Sequence, residues 1–171
     1  MLKQIITIGI GTVLAILLQL VVSPLLTIGG TTINFCLAFI VAISLSSSEK
    51  PKIALAVLLG VIVDLTLGGP VGAFTLLFVL SNVLSVTLVA NVSSSTLQEK
   101  CIIAFVVCAV INILNCVIVG LATPGLNLVL AFTSGALWSC LFDGIVSIVF
   151  LFVLSFFIQP QIPTSVWKTK Y

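Results

Sequence analysis

Apolar residues fill this chain in long stretches, and polar ones gather at short, regularly spaced interruptions. The first stretch, about Ile5–Val22, stops at Ser23-Pro24, and a second, about Thr32–Ser47, ends at the charged turn Glu49-Lys50-Pro51-Lys52. Ile53–Leu67 breaks at Gly68-Gly69-Pro70, about Val71–Val92 runs into the polar Ser93–Lys100, and Cys101–Leu121 ends at Ala122-Thr123-Pro124-Gly125. A hydrocarbon core of ~30 Å and a rise of ~1.5 Å per residue require about 20 apolar residues per crossing. Each stretch therefore predicts a membrane-spanning helix, the second and third of them short. The last stretch, Leu126–Ile158, would reach ~50 Å as one helix. A bend near Ser134-Gly135 is expected, with residues 126–134 along the interface and 137–158 crossing. Gly is expected to cap the third helix and Pro70 to open the fourth.

The expected fold is an all-α membrane protein, a compact bundle of six short transmembrane helices. Residues 1–160 form the single domain, with spans at about 5–22, 32–47, 53–67, 71–92, 101–121 and 137–158, and residues 161–171 form a tail.

Composition fits that expectation. The chain of 171 residues is 61% hydrophobic and 6% charged, whereas soluble domains carry about a quarter charged residues. Lys3, the Glu49–Lys52 turn, Glu99-Lys100 and Lys168/Lys170 mark the chain at intervals. Six crossings place all four clusters on one face and leave the opposite turns, around Thr27–Thr31, Gly68–Pro70 and Ala122–Gly125, uncharged. Five or seven crossings would split the lysines between faces. The positive-inside rule then makes the lysine face, and both termini, cytoplasmic in a bacterial inner membrane. Lys3 and the run to Val22 look like a signal peptide, but the run is long for one and no small-x-small cleavage site follows. It reads as the first span.

All six basic residues are lysine, and histidine is absent. That removes the commonest general base and metal ligand, and a net charge of +2 is too small and scattered for nucleic-acid binding. No catalytic residue, cofactor or metal is expected. Cys36, Cys101, Cys108, Cys116 and Cys140 are odd in number and form no CxxC, so they read as small residues packed among helices.

Two carboxylates, Asp64 and Asp143, lie inside apolar stretches, each toward the uncharged face. A charge there costs about 2.5–3.5 kcal/mol on insertion scales, and no Lys, Arg or His stands within the spans to neutralise it. Asn112 and Asn115 share a face of the fifth span, and Ser81, Asn82 and Ser85 lie midway along the fourth, so these are candidate donors. With Asp64 and Asp143, the three Asn form a candidate intramembrane polar cluster. The N–H groups at the start of the fourth helix could receive the Asp64 carboxylate. Two readings stay open: a proton, cation or ligand path, or helix locking. Asp64→Asn should mostly preserve the fold if that carboxyl is protonated, and a large loss would mark an ionised, bonded Asp64.

Small residues recur at four-residue spacing: Gly11, Ala15 and Gln19; Ala56, Gly60 and Asp64; Gly135, Ser139, Asp143 and Ser147, flanked by Ala136, Cys140 and Gly144. Such stripes let helices approach closely. Trp138, Phe142, Ile145, Val149 and Phe152 form a bulky face on the last span, suited to lipid or a partner helix.

The segment from Leu58 to Phe74 contains G-x-x-x-D-L-x-x-G-x-x-x-G, with Gly60, Asp64, Leu65, Gly68 and Gly72, and Pro70 within it. It resembles the signature of the MreD family of rod shape-determining membrane proteins, as do the chain's size, its six short spans, the charged turn before the motif and the last span with Trp138. The resemblance implies a non-enzymatic component of the bacterial elongation machinery. Its partners would be MreC, through the MreC transmembrane helix and flanking segments, other elongation proteins that couple MreB filaments to peptidoglycan synthesis, and membrane lipid. It also implies a fold similar to the substrate-binding subunits of energy-coupling-factor vitamin transporters. A vitamin-capturing subunit of that kind is the alternative reading, which short, uncharged outer turns disfavour.

Overall fold

A computed structural model describes residues 2–28, 31–46, 52–67, 72–92, 96–123 and 132–157. Helix α1 (Leu2–Leu17) continues through a π-helical turn, Leu18–Val22, and a 3-10 turn, Ser23–Leu25. Strands β1 (Thr27–Ile28) and β2 (Thr31–Thr32) pair antiparallel, Thr27 opposite Thr32. Helices α2 (Phe35–Ser46), α3 (Lys52–Leu67), α4 (Ala73–Val92) and α5 (Leu97–Ala122) follow. After a π-helical turn at Phe132–Ala136 comes α6 (Leu137–Phe157).

The protein is thus nearly all helical. The α1 stretch Ile5–Leu25 and helices α4, α5 and α6 are long and apolar enough to cross a membrane. Their outer faces carry apolar side chains that water would oppose, among them Ile10, Leu76, Leu121 and Phe156. Ser23-Pro24, the expected stop of the first span, lies in the 3-10 turn, and α6 starts at Leu137. Residues 126–131, the Gly68-Gly69-Pro70 turn and the 161–171 tail lie outside the described residues.

Three boundaries differ from expectation. The second span starts at Phe35 rather than Thr32, because Thr31-Thr32 joins the hairpin and Asn34 caps the helix, its Oδ1 accepting from Leu37 N at 3.0 Å. Helix α4 starts at Ala73 rather than Val71. Helix α5 starts at Leu97, four residues before Cys101, because Thr96 and Glu99 form a reciprocal capping box that supplies the first-turn donors with acceptors.

Helix α2 is the centre. Every other helix packs on it, and Phe35 through Leu45 are all buried. A helix apolar on all sides is suited to such a position. Its 12 residues reach only ~18 Å, well short of the ~30 Å apolar thickness. It therefore cannot reach both faces of the slab, and at least one of its ends falls in low dielectric, where unpaired backbone N–H and C=O groups cost several kcal/mol each. The polar residues of this chain answer that problem.

Candidate functional site

The start of α2 is closed by three side chains. Asp143 of α6, fully buried, accepts the Asn34 backbone N–H on Oδ1 at 2.8 Å. Gln19, brought inward by the π-helical turn after α1, accepts from Cys36 N at 3.4 Å, and its amide donates to Ser23 Oγ at 3.3 Å. Ser23 in turn donates to the Ile33 carbonyl at 2.7 Å. The second Asp143 oxygen accepts from Asn112 Nδ2 of α5 at 3.0 Å, and the same amide group reaches the Cys108 carbonyl at 3.1 Å. A negative carboxylate at a helix N-terminus is favoured by the partial positive charge there.

At the opposite end of α2, Lys52 Nζ donates to the Ser44 carbonyl at 2.9 Å. A cation on a C-terminal carbonyl completes the complement to the helix dipole. Between these ends, Asn82 Nδ2 of α4 donates to Ser44 Oγ at 2.7 Å.

Lys52 stands just before Ile53, the first apolar residue of its span, and burial, helped by the Lys100 ammonium nearby, pushes its pKa from 10.5 down to about 8. Below pH 8 the ammonium is charged in folded and unfolded chains alike. Between 8 and 10.5 this group binds more protons in the unfolded chain, so its own contribution to stability rises with pH across that window. In thermal unfolding of the detergent-solubilised protein, the difference between the native chain and Lys52→Met should move in favour of the native chain as pH rises from 8 to 10.5.

Asp64 performs the same task for α4. Its Oδ1 accepts from Phe74 N at 2.9 Å, and Oδ2 accepts from Thr75 N at 3.1 Å and Thr75 Oγ1 at 2.6 Å. Three donors converge on one carboxylate, and Asp64→Asn would turn a donor against at least one of them. Two glycines of the motif make the approach possible. A Cβ on Gly60 would overlap Thr75 Cα, so α3 must lack a side chain one turn before Asp64. Gly72 has φ +88°, in the left-handed region that favours glycine, and its carbonyl accepts from Leu76 N at 3.0 Å in the first turn of α4. Leu65 faces outward, 78% exposed.

The expected polar cluster is therefore divided. Asp143 and Asn112 meet directly, with Asn115 beside them on one cavity wall; Asp64 stays with α4; Asn82 serves Ser44. Ser81 and Ser85, both fully buried, donate to Phe78 and Ser81 carbonyls of their own helix. Hydroxyls spent in this way satisfy themselves and leave no relay. The stripes occupy contacts: Ala15 and Ala56 are fully buried, a Cβ on Gly11 would meet the Phe39 ring at 2.7 Å, and one on Gly144 the Phe105 ring at 2.5 Å. Ser147 is fully buried and donates to the Gly144 carbonyl, whereas Gly135 and Ser139 are half-buried. Trp138, Ile145, Val149 and Phe152 are exposed, and the Trp138 and Phe142 rings stack at 6.0 Å.

A cavity of about 220 Å³ opens beside the α2 cap, at the end of the bundle away from Lys52 and Lys100; Asn34, Phe74, Asn112, Asn115, Ser139 and Asp143 contribute to its walls. Gln19, Ser23 and Asn34 were not proposed as site residues from sequence. A Gln within an apolar span was the available signal for the first. Among the described residues, no group of His, Cys, Asp and Glu is arranged to hold a metal ion.

The model of the rod shape-determining protein MreD family matches residues 2–160, nearly the whole chain, and the chain belongs to that family. No curated protein and no solved structure matches it.

Proposed function

From membership of the rod shape-determining protein MreD family, we propose that this protein is a non-enzymatic part of the bacterial elongation machinery. It sits in the inner membrane with six crossings and both termini in the cytoplasm. There it binds MreC and helps couple MreB filaments to peptidoglycan synthesis. The observation that carries the reading is the family match over residues 2–160. Two features support it. Both intramembrane carboxylates are engaged at helix starts, which is scaffold work. The exposed apolar face of α6 around Ile145, Val149 and Phe152 can accept a single transmembrane helix by packing alone.

Co-expression with tagged MreC in detergent is the test. A stable complex is expected, with photo-crosslinks to the MreC transmembrane helix from a probe at Val149 or, on the other exposed face, Val13. Absence of a complex with well-folded protein, or a vitamin co-purifying in its place, overturns the reading.

A further inference from the structure

We propose that the cavity at the start of α2 binds an uncharged, polyhydroxylated or acetamido-bearing molecule of about monosaccharide size. It enters from the end of the bundle opposite Lys52 and Lys100. The inference goes beyond MreC binding and stands or falls separately from it.

Size is the first argument. The volume of about 220 Å³ equals that of about seven waters, which one sugar ring with its substituents fills. Inward, a recess of about 10 Å³ continues between Asn112 and Asn115 and ends against Leu37, Leu77, Phe78 and Ile111, each at most 1% exposed. At the same volume per molecule that recess is smaller than one water, so a ligand ends at this wall.

Charge comes next. Among the described residues no lysine lines the cavity, and the one ionisable group on its walls, Asp143, is acidic. A phosphate or carboxylate would meet that charge without a counterion. A cation is not called for either, because both Asp143 oxygens already hold donors and the carboxylate faces the positive end of α2.

Unspent hydrogen-bonding capacity then selects the ligand. Asn112 is 8% exposed, and its Nδ2 is spent on Asp143 and Cys108. Among the described residues no donor reaches its Oδ1, and neither the Asn115 amide nor the Ser139 hydroxyl has a partner. The Asn34 Oδ1 is engaged by Leu37 N while its Nδ2 makes no such bond. Acceptors and donors thus face one space: the Asn112 Oδ1 is a buried polar group whose lack of a donor is costly, and Asn34, Asn115 and Ser139 are half-buried beside it. Phe74 adds an apolar ring to the wall, a surface for the C–H face of a sugar. Mixed amides and hydroxyls with one aromatic wall and no free countercharge suit a neutral polyol.

Binding of N-acetylglucosamine, glucosamine and glucose 1-phosphate to the purified full-length protein in detergent, measured by calorimetry, tests this. N-acetylglucosamine should bind saturably with a millimolar dissociation constant, and the phosphate at least ~10-fold more weakly. Asn115→Leu should weaken the neutral sugar ~10-fold while leaving unliganded thermal unfolding unchanged, and Ser139→Leu, which fills the cavity from α6, should do the same. No saturable binding of the neutral sugar, tighter binding of the phosphate or of the glucosamine ammonium, or unaltered binding in both variants would overturn the proposal.

Discussion

Replacing Gly60 by valine will separate α3 from the start of α4 and destabilise the protein by about 3–5 kcal/mol. Overpacking costs ~1–3 kcal/mol, and each Asp64 hydrogen bond pulled out of line adds ~1 kcal/mol. The overlap is with the Thr75 backbone, which no rotamer change relieves. Because Asp64 lies one turn further along the same face, the displacement also withdraws its carboxylate from Phe74 N and Thr75 N. The matched control is Gly9→Val: a Cβ on Gly9 meets nothing within 4 Å, so that variant should be neutral. Thermal unfolding in detergent should show a drop of roughly 10 °C for Gly60→Val and none for Gly9→Val. Equal behaviour of the two would mean that the α3–α4 contact does not hold the motif together.

Asp143→Leu is the second large effect, a loss of about 3–4 kcal/mol. It leaves the Asn34 N–H without an acceptor inside the slab, costing ~1–3 kcal/mol, and removes a favourable charge from the start of α2, worth up to ~2 kcal/mol. Asp143→Asn keeps one acceptor oxygen and should lose less. Asn112→Leu added to Asp143→Leu should cost less than the sum of the two singles, because they share one bond. Additive losses on chemical or thermal unfolding would show that the two side chains act independently.

These effects explain which features could be read from sequence. The helices were legible because the length and polarity of each apolar run are set by the bilayer. The partner of Asp64 was legible too, since a short turn returns the chain to the start of the next helix. The partner of Asp143 was not: Asn34 lies 109 positions away, and nothing local reveals that α6 packs beside the start of α2. For the same reason Asn82 was grouped with Asp64 although it serves Ser44. The early start of α5 was readable, because Thr96 and Glu99 have the spacing of a capping box; the polar character of Ser93–Lys100 masked it. That α2 is central, and hence that its ends need partners from other helices, is a property of packing. Its short apolar run was the only local hint.

The outward opening of the cavity and the proposed contact with MreC both require one arrangement, in which the start of α2 faces outward and the lysine end faces the cytoplasm. In a variant lacking the five native cysteines, single cysteines at Thr32, Thr123 and Gln98, all exposed, can be labelled in spheroplasts with a membrane-impermeant maleimide. Thr32→Cys and Thr123→Cys should react in intact spheroplasts, and Gln98→Cys only after permeabilisation. Reaction of Gln98→Cys from outside, or of Thr32→Cys and Gln98→Cys from the same side, would contradict the account.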